Sequence, residues 1–131
     1  MTGQVITNNG LKIALHRTYT ASPTITSPTV FKIGTGTTTP TVSDTDVETG
    51  VNINGGATKS FVSGYPILDE TNLQATIRAL LLTTEGNTNS ITEFALFNED
   101  GTALMFSHSV FTAISKTTSV QVSFVQKDVY K

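Results

Sequence analysis

Cysteine and tryptophan are missing from this chain, and charged residues are scarce. Asp, Glu, Lys and Arg together make up 14% of the sequence, against about 25% in typical soluble domains. Without cysteine the chain can form no disulfide, no thiolate metal site and no cysteine nucleophile. Lys and Arg number 8 and Asp and Glu number 10, giving a net charge of −2. This balance predicts no binding to nucleic acid or to an anionic membrane surface.

Long apolar runs are missing as well. The longest, Ala79-Leu80-Leu81-Leu82, is far shorter than the roughly 20 residues that span a bilayer. The first ten residues lack the basic start and the apolar centre of a signal peptide, so we expect a chain made and kept without a secretion signal. A length of 131 residues fits one domain with a single hydrophobic core.

Threonine is the residue in excess, with 25 copies beside 10 Gly and 4 Pro. Because threonine is β-branched, it favours strands over helices. Apolar and polar residues alternate strictly over 119–124, which predicts a half-buried strand with Val120, Val122 and Phe124 facing inward. A further strand is predicted at Val30-Phe31-Lys32-Ile33.

The clearest pairing signal is a hairpin in the second half of the chain. Two apolar runs, Ile91–Phe97 and Ala103–Phe111, flank the segment 98–102. That segment contains Asp100-Gly101, a dipeptide that suits the positive φ values of a tight hairpin turn. Both runs carry apolar residues on both faces, so they are either central to a sandwich or covered by a neighbouring subunit.

Two segments fit both a helix and a strand. Within 69–82, Thr71 resembles the start of a helix capping box, whereas the apolar residues alternate, and a strand is favoured. Within 8–17, an asparagine is a candidate helix cap, so a short helix is expected there. That helix would place three residues on one stripe: Leu11, Ala14 and Leu15.

The segment between Thr18 and Gly56, rich in Thr, Pro and Gly, predicts short strands joined by loops. No period of 20–50 residues recurs, which excludes solenoids and propellers. Together these patterns predict an all-β, mainly antiparallel fold. The expected architecture is a single β-sandwich or jelly-roll-like domain over residues 1–131, with one short N-terminal helix.

The sequence offers no recognisable catalytic constellation. His16 and His108 have no motif partners, and a hydrogen-bonded core or interface histidine is favoured for His108. No Gly-x-Ser-x-Gly elbow is present. The turn at Gly34-Thr35-Gly36 lacks the lysine and the following helix of a phosphate loop. We therefore predict that the chain is not an enzyme and has no catalytic residue, no cofactor-binding residue and no cofactor.

Three carboxylates recur at every second position: Asp44, Asp46 and Glu48. On an extended strand they would share one face and could collect Ca²⁺. The segment lacks the glycine and the distal bidentate glutamate of a calcium loop, so a solvated acidic turn is favoured. No metal site is predicted, although the pattern leaves open whether these three residues hold an ion.

Three segments, taken in chain order, resemble a known family. They are Ile6-Thr7-Asn8-Asn9-Gly10-Leu11, then Phe31-Lys32-Ile33-Gly34-Thr35-Gly36 with Pro40 and Asp44-Thr45-Asp46-Val47, and Ile91-Thr92-Glu93-Phe94-Ala95-Leu96-Phe97-Asn98-Glu99-Asp100-Gly101-Thr102. The last continues through Val110-Phe111 and Ile114-Ser115-Lys116-Thr117 into the terminal strand. This order resembles the tail-collar or tail-fibre N-terminal module of bacteriophage structural proteins, over nearly the whole chain. The third segment is the most specific.

The resemblance implies a non-enzymatic virion structural protein, a tail appendage (fibre or collar) or connector component, assembled in the host bacterial cytoplasm. It also implies contacts with other tail or capsid subunits and a homo-oligomer, with a trimer favoured. Few charges and strands that are apolar on both faces agree with a module that presents surface to partners. The candidates for a subunit contact or for the core are Phe94, Phe97, Phe106, His108 and Phe111. A capsid cement protein that stabilises the phage head is the alternative, and a carbohydrate-binding module is less favoured because tryptophan is missing.

Overall fold

The computed structural model describes residues 3–99 and 103–130, which form two antiparallel sheets and one helix. In chain order the elements are β1 (Gly3–Ile6), α1 (Asn8–Tyr19), β2 (Pro28–Gly34), β3 (Lys59–Ser60), β4 (Ile67–Asp69), β5 (Gln74–Leu81), β6 (Asn89–Asn98), β7 (Met105–Lys116) and β8 (Val122–Val129). One sheet has the order β1-β7-β6-β2-β3 and the other the order β4-β5-β8. The expected all-β, antiparallel, sandwich-like fold with an N-terminal helix is confirmed.

The predicted hairpin is present as β6 and β7, which pair antiparallel along most of their length. Asp100 and Gly101, the predicted turn, lie outside the described residues. β6 runs through the middle of the five-stranded sheet, and residues 91–98 are all buried. The chain itself covers both faces of β6, which explains why this strand is apolar on both sides.

The two faces of the five-stranded sheet belong to separate clusters. Phe94 and Leu96 of β6 face the three-stranded sheet and form part of the main core. There Phe94 stacks on Phe124 of β8, with ring centroids 4.8 Å apart. Ala95 and Phe97 point to the opposite, outer face and form the second cluster, because successive side chains alternate across a strand.

α1 begins after Thr7, whose hydroxyl accepts the N–H of Gly10 at 3.0 Å and caps the helix. The prediction of an asparagine cap is therefore wrong by one residue. The same Thr7 hydroxyl donates to the Met105 carbonyl at 2.6 Å, which fastens the start of the helix to β7. A Cβ at Gly10 would overlap the backbone carbonyl of Phe106. Glycine at this position lets the helix lie directly on β7.

The favoured strand in 69–82 is confirmed as β5, which spans Gln74–Leu81. Thr71 lies in the turn before it and caps no helix. Its N–H and that of Asn72 are both accepted by the Asp69 carboxylate at 3.0 Å. The side chain of Asp69 therefore stabilises a turn here, where the sequence around Thr71 resembled a helix cap.

The last strand begins later than its alternation indicated. β8 starts at Val122 and ends at Val129. Val120 lies in the preceding turn, where its N–H donates to the Thr117 carbonyl at 3.1 Å. Val122 and Phe124, the other two residues expected to face inward, are partly buried against the main core.

Candidate functional site

A long loop, residues 35–50, covers the outer face of the five-stranded sheet. Residues 18–56, all within the described part of the chain, contain a single strand, β2, although several short strands were predicted there. From the loop, Val47 packs on the outer cluster. Asp46 pairs with Lys32 of β2 at 2.9 Å. The loop thus replaces a further layer of strands above this face.

Glu93, in the middle of β6, holds both ends of this loop. Its side chain is 0% exposed. Oε2 accepts the N–H of Gly36 at 2.7 Å and that of Thr49 at 3.2 Å, and Oε1 accepts the N–H of Glu48 at 2.8 Å. These hydrogen bonds replace the water that an ionised carboxylate loses on burial.

The imidazole of His108 lies between two carboxylates. Its Nε2 is 2.9 Å from Oε1 of Glu93 and its Nδ1 is 2.7 Å from Oδ2 of Asp44. Glu93 also accepts three backbone N–H groups, and Asp44 accepts the N–H of Thr41 at 2.9 Å. Both carboxylates therefore offer acceptor oxygens to the ring. A neutral imidazole can donate to one of them, and a protonated ring donates to both.

Asp44 is held in its ionised form by these contacts. Burial acts to raise its pKa, but the hydrogen bonds from the Thr41 N–H and from His108 outweigh burial and hold the pKa of Asp44 below its usual range. Asp44, His108 and Glu93 therefore form a carboxylate–histidine–carboxylate relay between the loop and the sheet. We call these three residues the buried relay.

The three acidic residues predicted to share a face are separated in the structure. Asp44 faces His108, Asp46 pairs with a lysine of β2, and Glu48 accepts a backbone N–H through Oε2. They lie on the loop and on no strand. Within the described part of the chain, no group of three or more His, Asp or Glu side chains is arranged to hold a metal ion.

The buried relay joins the loop to the sheet through hydrogen bonds within the protein. Both ring nitrogens of His108 lie within hydrogen-bond distance of a carboxylate. His108, 3% exposed, thus lies where a hydrogen-bonded core histidine was favoured. Its two partners, Glu93 and Asp44, were not predicted from the sequence. Glu93 is nevertheless the single charged residue in the buried segment 91–98.

A second, partly buried ionic cluster lies near the start of β6, where Lys116 pairs with Asn89. Lys59 Nζ contacts Glu85 Oε2 at 2.7 Å, and Oε2 also accepts the N–H of Leu82 at 2.9 Å. Burial acts to raise the pKa of Glu85, but these hydrogen bonds hold it below its usual range. Burial lowers the pKa of Lys116, which donates to Asn87 Oδ1 at 2.8 Å. Each charge has a partner, as buried charges require.

The candidate phenylalanines are placed mainly in the core of the chain. Phe94, Phe97 and Phe106 are buried, and Phe111 is partly buried against the main core. Phe94 and Phe111 meet around Phe124, with ring centroids 4.8 and 5.7 Å from it. Phe97 lies apart from them on the outer face, in the second cluster.

An exposed apolar stripe runs along α1. The side chains of Leu11, Leu15 and Tyr19 are 58%, 58% and 81% exposed. At 3.6 residues per turn these three positions fall on one side of the helix, within an arc of about 80°. Gly10 and Ile13, the buried residues of α1, occupy the opposite side. We call Leu11, Leu15 and Tyr19 the α1 stripe.

The packing of the chain does not explain the exposure of the α1 stripe, nor that of Leu68, Val125 and Tyr130, which are 72%, 60% and 63% exposed. Two of its residues, Leu11 and Leu15, were predicted to share a helical stripe, and they do share one. Such stripes normally face the core of a globular protein, whereas this one faces solvent. A contiguous exposed apolar patch is typical of a surface that contacts another macromolecule.

Comparison with protein-family models, with curated proteins and with solved structures found no match for this chain. The fold and its surfaces define the class: a two-sheet antiparallel β domain that carries an exposed apolar helix face. Among the described residues no helix is both long and apolar enough to cross a membrane.

Proposed function

We propose that this chain is a non-enzymatic structural protein of a bacteriophage virion, a tail appendage or connector component. It assembles with copies of itself, as a trimer, and with other virion proteins. The order of motifs along the chain resembles tail-collar and tail-fibre modules. The α1 stripe is the observation that carries the proposal, because it provides an apolar surface for such contacts.

The buried relay supports a structural role. In it a histidine and two carboxylates, residue types that often serve in acid–base catalysis, hold the loop 35–50 to the sheet by hydrogen bonds. A loop fixed in this way presents a constant surface, as a module with permanent neighbours requires. Preorganised surfaces also lose less conformational entropy on assembly.

The test of the contact surface is the mass of the full chain in solution, measured by light scattering. We expect wild-type protein to have about three times the 13.9 kDa mass of one chain. Leu15→Asp places a charge in the α1 stripe and should yield a folded monomer. Thr118→Asp is the matched control, since Thr118 is exposed in the turn between β7 and β8 and does not belong to α1. It should leave the mass unchanged.

Two results would contradict the assembly proposal. One is a wild-type chain that stays monomeric at high concentration. The other is an oligomer whose mass is the same with and without Leu15→Asp, because the contact would then lie elsewhere. Circular dichroism of each variant separates loss of assembly from loss of folding.

A further inference from the structure

A pocket of about 250 Å³ lies between α1 and the inner face of the three-stranded sheet. Most of its wall is apolar. Ile13 of α1 and Ile77 of β5 lie on opposite sides of it, and Phe61 and Phe106 complete the wall. This volume accommodates a short alkyl chain or a single ring. Pockets for small molecules are typically apolar with a few convergent polar groups.

Asp128 brings a carboxylate to this pocket. Gln126 Nε2 donates to its Oδ1 at 2.9 Å and also to Ser107 Oγ at 3.1 Å. Among the described residues nothing donates to Oδ2 of Asp128, and no cation lies within ion-pair distance. Every buried side-chain nitrogen and oxygen of the described residues has a partner, so this partnerless oxygen retains access to solvent.

Asp128 forms no ion pair with the described charged groups that surround the pocket. Burial raises its pKa, and the hydrogen bond from Gln126 only partly opposes this effect. Tyr130 lines the same pocket, and partial burial together with the Asp128 charge raises the pKa of its hydroxyl. The remaining charged group in the lining is Arg17, which is exposed on α1 and forms no ion pair with Asp128. Lys127, the neighbour of Asp128 in the chain, is exposed and forms no ion pair with it.

We propose that this pocket binds a small primary amine, with its ammonium group on Asp128 and its apolar body against Ile13, Phe61 and Phe106. The ammonium supplies the donor and the positive charge that the carboxylate lacks, and the apolar walls desolvate the remainder of the molecule. Arg17 at the rim disfavours a basic peptide segment, whose additional charge would approach it. A small molecule with a single charge avoids that repulsion.

The test is a titration of the full ¹⁵N-labelled chain with n-butylamine at neutral pH, followed by amide chemical shifts. We expect shifts confined to residues that line the pocket. The neutral n-butanol should bind more weakly by about 10–100-fold, since a hydrogen bond to a charged group contributes about 1.5–3 kcal/mol. Asp128→Asn should reduce n-butylamine affinity by a similar factor. Asp46→Asn, which removes an exposed carboxylate on the loop, should leave the affinity unchanged.

Three results would overturn the proposal. They are no saturable shifts in the pocket, equal binding of n-butanol, or equal binding of n-butylamine by the Asp128→Asn protein. A blocked lysine, Nα-acetyl-lysine methylamide, serves as a third probe beside n-butylamine and n-butanol and adds a fourth contradicting result. If it binds as tightly as n-butylamine, the pocket accepts a side chain of another protein and the assignment to a small molecule fails.

Discussion

Replacing Glu93 by glutamine should cost more stability than any exposed substitution, because its carboxylate accepts from four donors. Three are the N–H groups of Gly36, Glu48 and Thr49, and the fourth is Nε2 of His108. In Glu93→Gln, whichever way the amide is oriented, its NH₂ group faces buried donors. His108 also loses one of its two carboxylate partners.

The magnitude follows from known cases. Removing one partner of a buried ion pair costs about 3–5 kcal/mol, a large share of a total that is typically about 5–15 kcal/mol. For a domain of this size we expect the thermal midpoint to fall by roughly 10–20 °C. Urea unfolding gives the free energy of unfolding, and amide hydrogen exchange reports the loop directly. The amides of Gly36 and Thr49 should lose protection well before those of β6.

Glu70→Gln is the matched control, because Glu70 is exposed and the same charge is removed. It should change the free energy of unfolding by no more than about 0.5 kcal/mol. If Glu93→Gln costs less than about 1 kcal/mol, or if the loop amides keep their protection, the loop is held by other contacts. The interpretation of Glu93 would then be wrong.

Three further perturbations test other parts of the account. The pKa values of Asp44 and Glu85 are lowered on folding. Their contribution to the stability of the folded state is therefore fully present above their unfolded pKa values of 3.8 and 4.5. It is lost as the pH falls through their folded pKa values. The thermal midpoint should therefore decline below about pH 4, with Asp128 acting in the opposite sense, and a midpoint that rises there would contradict the assignment. Gly36→Ala would push a methyl group into the carboxylate beneath the loop and should cost about 1–3 kcal/mol in urea unfolding; a neutral result would show that the loop can move away. Phe94→Ala removes a stacked core ring and should lower the free energy of unfolding by about 3–5 kcal/mol. A loss below about 1 kcal/mol would contradict this placement of the ring in the core.

The strand pairing of β6 and β7 could be predicted because its signals are local. Two apolar runs around Asp100-Gly101 specify a hairpin within about 20 residues of chain. The alternation that identified β5 is local in the same sense. The start of β8 was placed too early because Val120 continues the alternation but lies in a turn, where a hydrogen bond to Thr117 outweighs the pattern.

The buried relay could not be predicted because its members are far apart in the sequence. Glu93 and His108 come together through the hairpin, whereas Asp44 is 64 positions from His108. No spacing rule connects residues at such a distance. A single carboxylate among the apolar residues of β6 indicates that Glu93 needs hydrogen-bond donors if it is buried. Which residues donate to it is known only from the fold.

The exposure of the α1 stripe could not be predicted for a different reason. Helical periodicity placed Leu11 and Leu15 on one side of α1, but periodicity does not say which side faces the core. The side of α1 that faces the core carries Gly10 and Ile13. Gly10 lets the helix approach the backbone at Phe106, and Ile13 is buried. The apolar stripe was consequently left to solvent.

The most direct measurement of the proposed role is electron microscopy of purified virions labelled with a gold-conjugated antibody against this chain. The account predicts label clustered at the tail. Label spread over the head would contradict the tail assignment and favour the capsid cement alternative, and particles that carry no label would contradict a structural role in the virion.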